Sequence, residues 1–200
     1  EKTGDTPSMP GTLAPQTRAH LLQQTILANV GGSYVTSNTP IVWHELLDSN
    51  PSGAPPTTHL GWYVDLTFGS SNQGEKQVTN GLLLENNIIF NTIIPSSGLC
   101  DAGGTSNTVI LDAISGSRLK TSPFNGLPLV DHDNDPTTPD VPVSSKPSPV
   151  GILSPPTAIF QLDGGPPGIS SLGSSGQPDS FQLDRLQQTF GRQFWRQLQQ

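Results

Sequence analysis

Residues 129–142 read LVDHDNDPTTPDVP, which sets Asp131, Asp133 and Asp135 at alternate positions and adds Asp140 near the end. Carboxylates this close repel one another unless a cation lies among them. Calcium takes six to eight oxygen ligands, commonly from a loop whose positions 1, 3 and 5 carry oxygen-bearing side chains and whose position 7 offers a backbone carbonyl. With Asp131 as position 1, Asp133 and Asp135 fall at 3 and 5, and Thr137 falls at 7. Two departures count against an ion. Position 6 holds Pro136 where such loops place a glycine for the sharp turn, and the next acid is Asp140 at position 10, with none at 9 or 12. Pro136 also restricts Asp135 to extended conformations. The competing reading is an exposed acidic loop that water keeps solvated.

Other residues with chemical potential carry less. His20, His44, His59 and His132 share no metal-ligand spacing, and zinc needs convergent nitrogen or sulfur ligands. Cys100, in SSGLCDAGG, is either an unpaired loop thiol or one half of a disulfide to a cysteine outside the chain; nothing marks a nucleophile–base arrangement around it. Trp43, Trp62, Trp195, Tyr34 and Tyr63 are candidates for a carbohydrate platform, although aromatics on strands more often pack a core. Gly103-Gly104 lacks the strand-then-helix context of a phosphate loop and reads as a turn. Arg192 and Arg196, in FGRQFWRQL, offer either a docking point for an acidic partner or a solvated strand face.

The elements that must position these residues are short strands. Hydrophobic residues make up 32% of the 200, and Gly (21) and Pro (20) fill about a fifth, so the core is modest and the loops are long. GWYVDLTF alternates around Trp62, Val64 and Leu66, and LLLENNIIFNTIIP reads as a hairpin with its turn at Asn86-Asn87 and a second strand over Ile88–Ile94. Thr108–Leu111 is another strand, ending in a turn at Ser115-Gly116, and PVGILSPPTAIFQLD holds two short strands parted by Pro155-Pro156. RAHLLQQTILANV fits helix or strand by periodicity alone. Residues 1–16 read as a flexible leader or linker, 163–180 as a low-complexity mobile loop, and FQLDRLQQTF as a short helix ending at Gly191. A net charge of −7 without a basic stripe excludes nucleic-acid binding, and no apolar run reaches the length of a transmembrane segment. The absence of a recognisable leader suits a cytosolic, processed or excised chain.

Three stretches go further. HLGWYVDL, KQVTNGLLLENNIIFNTIIPSSGLCDAGG and NTVILDAISG, in that order, resemble the C-terminal domain of the PilY/PilC family of type IV pilus biogenesis factors and tip adhesins. LLQQTI upstream, with VGILSPPTAI and GRQFWRQL downstream, also looks like that family's blocks, so the resemblance runs from about residue 18 to the end and favours strand for LLQQTI. It implies an all-β chain over 17–200: the closing blades of a β-propeller-like domain, with long Gly/Pro/Ser-rich loops and at most one or two short helices. It implies an exported protein at the pilus tip, outer membrane or cell surface, without enzymatic activity. Its partners would be minor pilins, the remaining part of the parent protein, and a host or surface ligand. Family members carry an Asp-x-Asn-x-Asp-Gly loop where Asp131, Asp133 and Asp135 stand, which moves the expectation toward Ca²⁺ held by Asp131, Asp133, Asp135, Thr137 and Asp140. Two rivals remain. One is a fragment of a quinone-dependent propeller dehydrogenase, suggested by Leu-Asp-Ala-Ile-Ser-Gly at 111–116. The other is a purely structural module that closes the propeller.

Overall fold

The computed structural model describes residues 18–43, 59–69, 73–96, 103–161 and 165–183. After a 3-10 turn at Arg18–His20 come β1 (Leu21–Gln24), β2 (Ile26–Val30), β3 (Ser33–Thr36), β4 (Gly61–Val64), β5 (Lys76–Gln77), β6 (Leu82–Leu84) and β7 (Asn87–Pro95). Then follow β8 (Gly104–Thr105), β9 (Asn107–Asp112), β10 (Ser145–Pro147), β11 (Thr157–Ile159), β12 (Gly168–Leu172) and β13 (Pro178–Gln182). The described chain is all-β, as expected, and its sheets are open. The largest runs β10-β9-β7-β5, with β6 and β8 also on β7; β11-β12-β13 form a second sheet, β2-β3 a hairpin, and β1-β4 a parallel pair.

The centre is the β7–β9 ladder. Its register sets Ile89 opposite Ile110, Phe90 opposite Val109, and Ile88 opposite Leu111. Side chains alternate across a sheet, so these pairs feed opposite faces. Ile89 and Ile110 join Ala28, Val35, Phe124, Val143, Ile169 and Leu183 in one cluster, while Phe90, Val109 and Leu111 form another with Trp62, Val64 and Ile88 against them. A sheet covered on both faces explains the continuous burial along Asn107–Leu111. Each fully buried Ile or Leu contributes roughly 1.5–3 kcal/mol.

A chain poor in apolar residues also needs polar fastenings, and Gln24 and Asn91 supply two of them. Gln24 is fully buried: its Nε2 donates to the carbonyls of Thr39 (2.8 Å) and Ser115 (2.9 Å), and its Oε1 accepts from Ser37 Oγ at 2.5 Å. Buried Asn91 on β7 donates to Ser154 O (2.6 Å) and Ser171 Oγ (2.8 Å) and accepts from Thr108 Oγ1 (2.8 Å), which ties the large sheet to β12.

Some expectations shift. The β6–β7 turn lies at Glu85-Asn86, both with positive φ (49° and 64°), and Asn87 already belongs to β7. A two-residue loop with left-handed backbone at both positions matches the strand twist of a hairpin, so the turn falls one residue earlier than the Asn-Asn pair suggests. Of the two strands expected around Pro155-Pro156, only β11 forms; before the prolines Leu153 makes an isolated bridge to Gly173. The expected mobile loop 163–180 holds most of the β12–β13 hairpin. Ile169 anchors it in the core, and the Ser170 and Ser180 hydroxyls meet across the strands at 2.7 Å. Low-complexity composition concealed a cross-strand hydroxyl pair. Residues 181–183, expected to begin a helix, end β13 and bridge Leu183 to Phe124. The leader 1–16, Cys100, His44, Trp195, Arg192 and Arg196 lie outside the described residues.

Candidate functional site: the 131–140 acidic loop

The loop is pinched off at its base. Val130 and Val141 face each other in an antiparallel bridge, each donating its N–H to the other's carbonyl at 2.9 Å, and both side chains pack on the first core cluster. Ten residues project beyond this clasp, with Asp131 and Asp140 immediately above it and exposed.

Within the projection the aspartates organise the backbone. Asp131 Oδ1 accepts from the N–H groups of Asp133 (3.1 Å) and Asn134 (2.8 Å). Asp133 Oδ1 accepts from the Asp135 N–H at 3.1 Å, and Thr138 Oγ1 lies 2.7 and 2.9 Å from the two Asp133 oxygens. Asp135 Oδ1 accepts from the N–H and hydroxyl of Thr137, at 2.9 and 2.7 Å. These are Asx turns in series, the local bond that lets Asp compete with regular structure. The sharp bend comes at Asn134, whose φ of 56° is left-handed; Asn tolerates that region far better than most residues. Pro136 therefore does not have to supply the turn that a glycine at position 6 would make.

The electrostatics keep the loop charged. The Thr138 hydroxyl, then the Asp135 N–H, hold Asp133 below the usual carboxylate range, with a smaller contribution from nearby His132. The Thr137 hydroxyl and N–H do the same for Asp135. Hydrogen bonds to the charged form favour it. His132 is half-buried, and its Nδ1 is buried without a hydrogen-bond partner.

The expected ligands thus share one exposed loop in the expected order, but they do not surround one point. Among the described residues, no group of three or more His, Cys, Asp or Glu side chains is placed to hold a metal. The Oδ1 atoms of Asp131 and Asp135 and both oxygens of Asp133 serve the loop itself, and the Thr137 hydroxyl serves Asp135. As arranged, the carboxylates do not fit a calcium cage. Sequence reasoning missed the Val130–Val141 clasp, Thr138 and the bend at Asn134. Thr and Asn among alternating aspartates were the available signal.

The aromatic candidates disperse. Tyr34 is buried, Trp43 is exposed, and Tyr63 carries the Arg18 guanidinium 4.0 Å from its ring centroid. Trp62 lies over the turn after β9, its Nε1–H donating to Ala113 O at 3.0 Å, and a Cβ on Gly116 would run into its indole. Asp112 Oδ1 in turn accepts from the N–H groups of Ile114 and Ser115 and from the Ser115 hydroxyl. Leu-Asp-Ala-Ile-Ser-Gly is therefore a seat for a tryptophan from a neighbouring strand. Gly104 lies in β8, and His59 bridges Trp43, its N–H donating to Val42 O at 2.6 Å.

No protein-family model matches the chain. A curated relative, the type IV pilus biogenesis factor PilY1 homolog of Xylella fastidiosa (strain Temecula1), is 40% identical over 58 residues, which is 28% of this chain and 4% of that protein. The crystal structure of the Pseudomonas aeruginosa PilY1 C-terminal domain superposes with a TM-score of 0.58 over 84% of this chain and 32% of that one, at 21% identity. The chain thus spans under a third of the solved domain, and its match covers a small fraction of the curated relative.

Proposed function

From its likeness in sequence and fold to the C-terminal portion of the PilY1/PilC family, we propose that this chain is a non-enzymatic part of a type IV pilus-associated factor, serving pilus biogenesis, surface adhesion and twitching motility. Its place of action is outside the cytoplasm, with pilus components and the rest of the parent protein as partners. The observation that carries this is the match of one stretch at 40% identity to a pilus biogenesis factor, on a chain whose described fold follows a PilY1 C-terminal domain. No helix among the described residues is long and apolar enough to cross a membrane. The dehydrogenase alternative rests on the 111–116 segment alone, which here seats Trp62, a structural role common to both readings. The test is genetic: in a piliated host, delete the segment encoding this chain from the parent gene and count surface pili and twitching zones. Wild-type piliation in the deletion strain defeats the proposal.

Calcium at Asp131, Asp133, Asp135, Thr137 and Asp140 belongs to the same proposal. It is supported by the 1-3-5 spacing and opposed by carboxylates turned into their own loop. Titration calorimetry with Ca²⁺ on the chain and on Asp131→Ala decides it. Binding heat lost in the variant is expected; equal, negligible heat from both removes the ion.

A further inference from the structure

The stems of the acidic loop also build the wall of a cleft. Val130 from one stem and Val143, two residues past the clasp on the other, line it together with Val30, Leu127, Pro128 and Pro147, around a volume of about 350 Å³. The opposite wall is firm. The β2–β3 turn is closed by the Gly32 N–H donating to Asn29 Oδ1 at 3.0 Å, and a Cβ on Gly32 would stand 3.4 Å from the Pro147 ring. Lys146 also lines the cleft, but its ammonium lies 2.9 Å from Asp179 Oδ1 and over the Phe181 ring, so its charge is already matched. What remains is apolar lining, Val30 being about half exposed, and the negative charge of the acidic loop that follows Val130 in the chain.

We propose that this cleft docks an extended protein segment that seats an aliphatic side chain against Val30, Val130 and Val143 and carries Lys or Arg on either side. The argument for this occupant is charge complementarity joined to topology. Val130 is followed directly by Asp131, and Val143 stands three residues after Asp140, so the acidic loop springs from residues that line the cleft. Apolar contact supplies affinity, and the carboxylates supply orientation and encounter rate. A net charge of −7 disfavours an anionic membrane surface or a nucleic acid in the same place. This inference rests on the pilus-factor reading above and adds the chemistry of a partner.

The test uses the 200-residue chain and a fluorescein-labelled nonapeptide with a central Leu, two Lys on each side and Gly elsewhere, followed by fluorescence anisotropy. Val30→Asp separates seating from mere attraction. It adds negative charge, so electrostatics alone would tighten binding, whereas a blocked seat weakens it about tenfold. Replacing the peptide's Leu with Ser is expected to cost as much, and Asp131→Asn with Asp140→Asn to weaken binding and flatten its salt dependence. Val30→Ser serves if the Asp variant does not fold. No binding, equal binding of the Ser peptide, or unchanged or tighter binding by Val30→Asp overturns the cleft assignment. None of these touches the piliation experiment, whose failure would be separate.

Discussion

At Gly116 a single hydrogen atom decides a contact. The residue has φ of +69°, and any side chain there meets the Trp62 indole that hydrogen-bonds to Ala113. Gly116→Ala combines left-handed strain with overpacking, and we expect a loss of roughly 2–4 kcal/mol, read as a lower urea midpoint with altered Trp62 fluorescence. An unchanged midpoint means the indole is not seated there. The aspartates make a different residue-scale prediction. Asp133 and Asp135 titrate below the ordinary carboxylate value because Thr138, Thr137 and loop N–H groups bond their charged forms. A depressed folded pKa contributes order that is present above the unfolded value, about 4, and is lost as pH falls through the lower folded value. Carboxyl NMR titration of Thr138→Val is expected to raise the Asp133 midpoint toward the ordinary value and leave Asp135 nearly unmoved; an unshifted Asp133 refutes the Thr138 bond.

Between elements, a buried carboxylate ties the β2–β3 hairpin to the large sheet. Glu75, just before β5, accepts from the Tyr34 hydroxyl of β3, from Thr92 Oγ1 of β7 at 2.5 Å, and from Asn107 Nδ2 of β9 at 3.1 Å. Tyr34→Phe removes one donor from a buried carboxyl group, and a cost of about 1–3 kcal/mol is expected in chemical denaturation. Burial first, and then the Glu75 bond, raise the Tyr34 pKa far above its usual value. A raised folded pKa gives stability that is complete below the unfolded value, about 10, and declines as pH climbs beyond it. The wild type should therefore lose stability in that alkaline range more steeply than Tyr34→Phe; parallel profiles would dismiss the tie. None of this was legible in sequence. Glu75 sits in a polar stretch, and its three donors come from strands 17 to 41 residues away. What was legible was local: β-branched β7, the alternation of β4, and the turn at Gly116 all follow from nearest-neighbour chemistry. The β12–β13 hairpin was missed because Ser-rich strands carry little hydrophobic period, and their hydroxyl pairing declares itself only once the strands meet. The acidic loop was legible in order and spacing, but not in orientation: whether a carboxylate faces an ion or its own backbone depends on Asn134, Thr137 and Thr138, whose donors cannot be aimed from a sequence.

Across the whole molecule the open sheets matter most. Strand β11 is the outer strand of β11-β12-β13, and Ile159 and Phe160 stand 52% and 67% exposed at its end. An apolar edge with unpaired backbone groups is a template for another strand, while Pro155-Pro156 shorten it on one side and the net charge of −7 keeps copies apart at low salt. These opposing effects give a definite expectation. Screening weakens the repulsion between exposed charges without weakening backbone pairing, so light scattering after size exclusion should find the chain monomeric at low ionic strength and increasingly associated as sodium chloride is raised. Ile159→Glu with Phe160→Glu puts negative charge on the edge, adding to the repulsion between copies, and should keep the chain monomeric throughout, with the melting temperature little changed because neither side chain is buried. If the wild type stays monomeric at high salt, β11 is already covered in the isolated chain, and the sheet does not depend on a neighbouring strand to complete it. If it associates but the double variant associates equally, the contact lies elsewhere, and the exposed edge is not what drives it.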